Sequence, residues 1–122
     1  MNQKIKSLRP FIGSKDFAES RAFYTDLGFE ENILEPKLSV FKKGEFAFYL
    51  QDYYAKEWVE NTMLFLEVEN TDLFWDELVS LKLNEKYNSI KLVPIRTMDW
   101  GKECFLIDPA GILWHFGEFF NK

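Results

Sequence analysis

Cysteine is almost absent: Cys104 stands alone in 122 residues, so no disulfide can form within the chain. A lone thiol fits a reducing compartment, and the cytoplasm is the expected location. Histidine is equally scarce, His115 being the one imidazole. Long apolar stretches are missing too. The cleanest run, Met63 to Leu66, is far too short for a membrane span. The opening residues, MNQKIKSLRP, carry charge but no apolar segment and do not read as a signal peptide. Basic residues are scattered, with Lys42 and Lys43 the one interior doublet, and the net charge is −5. No basic stripe is available to a phosphate backbone, so nucleic acid is not an expected partner. The six glycines sit singly, which excludes a glycine-rich phosphate loop.

What is present is an ordinary globular composition, 47% hydrophobic and 29% charged, with an unusual aromatic share. Thirteen Phe, five Tyr and four Trp make up 18% of the chain. A chain of this length forms one domain, residues 1–122, and buries roughly two-thirds of its unfolded surface. That interior cannot take every ring, so some should line a cavity or an interface.

Hydrophobic periodicity and turn residues give an order of elements. A strand is expected over residues 5–12. Asp16 then stands where a helix cap belongs, with Glu19 three residues on, and Phe17, Ser20, Tyr24 and Leu27 follow at helical spacing up to Gly28. Strands are expected at 29–34, 38–42 and 45–51, with Lys43 and Gly44 as a turn. Residues 52–61 are polar and aromatic, either a loop or a short helix. A strand at 62–69 and a helix at 70–82 with Phe74, Leu78 and Leu81 on one face come next. Strands at 90–97, 102–107 and 112–119 close the chain, the last two joined by a turn at Asp108 to Gly111.

The order strand–helix–three strands therefore occurs twice, in modules of about 1–52 and 62–122. The expected architecture is α+β, two β-α-β-β-β modules whose mixed sheets form a cavity. One helix hides only one face of a four-stranded sheet, so the other face must meet something. A homodimer is expected on that ground, with a small-molecule site in the seam.

Two stretches carry a resemblance: SKDFAESRAFYTDLGFE, residues 14–30, and WGKECFLIDPAGILWHFGEF, residues 100–119. Both resemble the vicinal oxygen chelate superfamily of glyoxalase I, extradiol dioxygenases, fosfomycin resistance enzymes and bleomycin resistance proteins. The resemblance covers nearly the whole chain. It implies the paired modules above, usually in a dimer with two cavities. In metal-dependent members it implies three ligands: a His in the first strand, a His opening the fifth, and a Glu four residues after the glycine of the Asp-Pro-x-Gly turn. Here those positions fall at about Pro10, about Met63 and His115. Pro10 has no donor atom, and the Met63 thioether suits soft Cu(I) rather than hard divalent ions. A catalytic divalent ion usually needs three protein ligands. No metal and no cofactor are therefore expected.

Without a metal, the pattern is most similar to the bleomycin resistance proteins, which share the helix, the hairpin and a Trp-Gly step, here Trp100 and Gly101. The resemblance implies non-catalytic sequestration of a bleomycin-type or other flat cationic antibiotic, hence resistance by mass action. The alternative is a metal-dependent lyase or dioxygenase with an atypical site, and a sensor or accessory subunit is a third reading. No catalytic residue is assigned.

The candidate ligand contacts are Trp100, Asp99, His115, Met63, Phe65 and Glu67. Trp100 could stack on a flat ligand while Asp99 meets its charge, or it could close the end of the core. Period two puts Leu113, His115 and Gly117 on one strand face, and the resemblance turns that face toward the cavity. Met63, Phe65 and Glu67 share a face by the same count, although Glu67 could instead serve a salt bridge. No second titrating group stands beside His115 in sequence, which argues against a general base. Tyr53, Tyr54 and Trp58 either cover the cavity or pin their own loop. Cys104 reads as a small buried hydrophobe, and Glu30, Glu31 and Glu35 read as a solvated strand edge.

Overall fold

The computed structural model describes residues 1–120. The first module comprises β1 (Phe11–Ile12), α1 (Phe17–Leu27), β2 (Glu30–Glu35), β3 (Leu38–Lys43) and β4 (Phe46–Gln51). A one-turn helix, α2 (Lys56–Val59), lies in the connection. The second module comprises β5 (Met63–Glu67), α3 (Thr71–Ser80), α4 (Leu83–Lys86), β6 (Lys91–Thr97), β7 (Gly101–Ile107) and β8 (Leu113–Phe119). The sheets have strand orders β1-β4-β3-β2 and β5-β8-β7-β6. In each the first strand is parallel to the last and the other pairs are antiparallel, as expected for mixed sheets. No helix among the described residues is long and apolar enough to cross a membrane.

Local chemistry sets the helix ends. Asp16 accepts the Glu19 amide at 3.1 Å, and Asn70 accepts that of Leu73 at 3.0 Å, each satisfying a free donor of a first turn. Helical spacing brings Ser20, Phe23 and Tyr24 onto the buried side of α1. Both helices cover the same side of their sheets, and one core runs through both modules. Phe23, Tyr24, Phe41 and Phe48 from the first module pack with Leu78, Leu106, Trp114 and Phe116 from the second. At its centre the Tyr24 hydroxyl donates to Asp108 at 2.6 Å and accepts from the Trp114 indole at 2.8 Å. Asp108 in turn accepts the amides of Ala110 and Ile112, so the turn before β8 is fastened to α1.

Four expectations are corrected. The first strand is two residues long, not eight. The Pro10 carbonyl accepts from the Tyr49 amide, but Pro10 has no N–H to return, and the ladder stops there. Leu8, two residues earlier, is 93% exposed. Glu31 is not a solvated edge: it faces α1 and is held by Arg21 at 2.6 Å and Ser39 at 2.7 Å. Leu81 caps its helix and is exposed. After it, Lys82 takes a left-handed conformation, φ 53°, and starts the unexpected α4.

Candidate functional site

Among the described residues, no other element covers one face of the second sheet. Strand alternation turns Leu64, Leu66, Cys104, Leu106, Trp114 and Phe116 toward the helices. The register then aligns three rows across the opposite face of β5, β8 and β7: Met63, Leu113 and Ile107; Phe65, His115 and Phe105; Glu67, Gly117 and Glu103. Arg96 on β6 stands opposite Glu103. Apolar exposure is high here, with Met63 at 63%, Phe65 at 46% and Trp100 at 40%.

Two glycines shape this surface. A Cβ on Gly117 would lie 2.8 Å from the Phe65 ring, so the ring lies across the position a side chain would occupy. A Cβ on Gly101 would meet the Glu118 carbonyl oxygen at 1.9 Å, so β7 can approach β8 this closely only without one. The same turn is closed by the Met98 amide on the Gly101 carbonyl and the Phe120 amide on the Trp100 carbonyl. Trp100 is thereby fixed at the end of the face. Its ring centroid lies 6.3 Å from that of Phe65 and 5.3 Å from that of Phe119. His115 stacks on Phe65 at 6.3 Å and 27°, and Phe105 meets the imidazole edge-on at 5.0 Å. The result is an aromatic wall beside a row that holds two carboxylates.

Of the six candidate residues, Met63, Phe65, Glu67 and His115 share this face and Trp100 borders it. Asp99 is exposed in the turn before Trp100, and among the described residues no bond joins it to the other five. Sequence reading names Glu103 only as a member, with Glu67, of an unconventional metal set, and does not place it beside His115. Its carboxylate lies 2.9 Å from His115 Nδ1 and is almost fully buried, so His115 does have a titrating neighbour, twelve residues away. A signal was available. Folding the chain back at Asp108 to Gly111 pairs Phe105 with His115 and Glu103 with Gly117, which puts Glu103 and His115 on one face.

The remaining candidates lie elsewhere. Tyr53 and Trp58 pack on each other and close over Gly13, and the Tyr53 carbonyl accepts the Ser14 amide, so this segment pins its own loop. Cys104 is wholly buried, and burial pushes its thiol up to about 11, away from nucleophilic use. Among the described residues no three His, Cys, Asp or Glu side chains converge as a metal site would require. The main concavities of a single chain follow the free edge of β5. One groove of about 420 Å³ there is lined by Phe29, Phe46, Leu66, Phe74 and Phe116. It is largely apolar, though Lys43, Glu67, Glu69 and Glu77 also line it, and it stops short of the face that carries His115. That face is a wall rather than a pocket and needs a second surface to enclose a ligand.

No family model matches the sequence, and no curated protein matches it. Solved structures do. A bleomycin-binding protein from bleomycin-producing Streptomyces verticillus, solved with copper(II)-bleomycin, is 21% identical with a TM-score of 0.77, over 93% of this chain and 96% of that one. A bleomycin resistance determinant encoded on a transposon is 20% identical with a TM-score of 0.77, over 95% and 99%. A lactoylglutathione lyase from Agrobacterium tumefaciens is 18% identical with a TM-score of 0.70, over 95% and 96%. The resemblance carried by the two sequence motifs therefore holds at the level of the fold.

Proposed function

Since the chain has the fold of glyoxalases and bleomycin resistance proteins, we propose that it binds a small, flat, cationic molecule and leaves it unchanged. A bleomycin-type antibiotic is the type of ligand meant, and bound drug is withdrawn from its target by mass action. One observation carries this reading: Phe65, Trp100 and Phe119 form an aromatic wall beside the row that holds Glu67 and Glu103. Aromatic faces stack on flat rings and attract cations, and carboxylates beside them add to that attraction. The binding proteins of the same fold support it further.

The enclosing surface is a second copy of the chain. The bare face of the first sheet carries Phe11 stacked on Tyr49 at 4.5 Å, with Arg9 beside that tyrosine. Set against the acidic, aromatic face of a partner's second sheet, it would close a cavity on each side of a two-fold axis.

The test is a titration with a bleomycin-type drug at two ionic strengths, followed by mass analysis of the drug. One site per chain, weaker binding at higher salt and intact drug are the expected results. Chemically altered drug, or no binding, would overturn the reading. The fold shared with a lyase keeps a second reading in view, a metal-dependent lyase or dioxygenase. Against it stand Pro10 and Met63, which cannot supply the nitrogen or oxygen donors that hard divalent ions take. Elemental analysis of untagged, dialysed protein giving close to one divalent ion per chain would favour the lyase.

A further inference from the structure

Glu103 and His115 form a carboxylate–imidazole pair with a defined direction. The Glu103 carboxylate accepts the hydrogen of this 2.9 Å contact from Nδ1, so in the neutral ring the lone pair sits on Nε2. The side chain of Glu103 is 10% exposed and that of His115 23%, so the buried partner orients the more accessible one. Nε2 makes no hydrogen bond among the described residues, nor is it sealed away as a buried atom without a partner. An imidazole held by a carboxylate through one nitrogen, with the other open, is the arrangement found at metal-ligating histidines, where the carboxylate fixes the ring and raises its basicity.

The chain has no set of residues with which to hold a metal itself. His115 is its one imidazole, Cys104 is buried on the opposite face, and no three acidic, imidazole or thiol groups converge among the described residues. An ion that meets Nε2 must therefore bring its other ligands with it. The stacked Phe65 ring and nearby Trp100 offer a flat surface to those ligands.

Resting on the binding reading above, we propose that His115 Nε2 ligates a divalent transition-metal ion carried inside the bound molecule, so that the protein prefers metal-loaded planar chelates to their metal-free forms. The step is a ligand exchange. The neutral imidazole's lone pair forms the new bond, a water leaves an open position of the ion, and the ring hydrogen stays on Nδ1.

The probe is the one-to-one copper(II) complex of phenanthroline, compared with phenanthroline alone, on untagged wild-type protein, H115Q and E103Q. Affinity comes from calorimetry, and coordination from pulsed electron paramagnetic resonance. A coordinated imidazole gives a modulation from its remote nitrogen that phenanthroline cannot give, and the single histidine assigns it. Wild type should bind the copper complex at least about tenfold more tightly than the free chelator and show that modulation. In H115Q the modulation should vanish and the preference should fall to what charge alone supplies, while free phenanthroline still binds. In E103Q the modulation should remain and the preference shrink. Equal affinity of wild type for both forms, or a copper preference undiminished in H115Q, would overturn the proposal and leave planar-ligand binding standing. Failure of both forms to bind wild type would overturn the two readings together.

Discussion

Trp100 and Tyr24 show how differently two aromatic residues are employed. Trp100 is 40% exposed at the end of the bare face, so its loss removes little packing. Trp100→Ala should leave the melting temperature nearly unchanged and cost about 1–3 kcal/mol of affinity for a planar ligand, read by titration. Tyr24 is fully buried, and burial, with Asp108 beside it, pushes its phenol well above the usual range. Its hydroxyl serves Asp108 and Trp114 at once. Tyr24→Phe leaves the Trp114 indole without its acceptor and one Asp108 oxygen without its donor, which should cost about 1–3 kcal/mol in denaturant unfolding. Ligand affinity in the folded fraction should hold, because both groups lie on the helix side of the sheets.

Between elements, the contact of α1 with α4 is made partly by charge. The Lys86 ammonium and then the Tyr87 hydroxyl, each 2.6 Å from Asp26, hold its carboxyl below the ordinary range. A depressed folded-state value means that the unfolded chain takes up the proton first as pH falls. The contribution is therefore complete above the unfolded value and is lost as pH drops through the folded one. Asp26→Asn should melt below wild type at neutral pH, and the two melting curves, followed by circular dichroism, should converge as pH falls below about 3.9. This contact also marks what sequence could not reveal. The first helix was legible because Asp16 and Gly28 act on their own neighbourhood, and the last hairpin because Asp108 to Gly111 is a local turn. The second short helix begins at Lys82, a lysine in a conformation that favours glycine, and nothing local announces it. The short first strand is the converse case: alternation suggested pairing, and the missing N–H of Pro10 stopped it. Likewise counting by two put Phe65 and His115 each on a strand face, the resemblance brought those faces and Trp100 to one site, and only the hairpin register set Glu103 beside His115.

At the scale of the molecule, the two sheets close on one core and leave their other faces bare. An apolar sheet face this open predicts self-association, and light scattering at micromolar concentration should give about twice the 14.6 kDa chain mass. Met63 is 63% exposed in the single chain. Met63→Lys should therefore cost the folded monomer little, within about 0.5 kcal/mol, while shifting the scattering mass toward one chain. A wild-type mass of one chain would remove the second copy from the proposed site. The division of labour between the two sides of each sheet also bears on descent. Folding rests on Tyr24, Phe41, Phe48, Trp114 and Phe116, whereas the proposed contacts Met63, Phe65 and Trp100 are exposed. The recognition side can accumulate substitutions without passing through unfolded intermediates, so a lineage can exchange one molecule for another while its architecture is inherited intact. The solved structures that superpose with TM-scores of 0.77 agree with this chain at about one residue in five, so the architecture tolerates wide change in sequence.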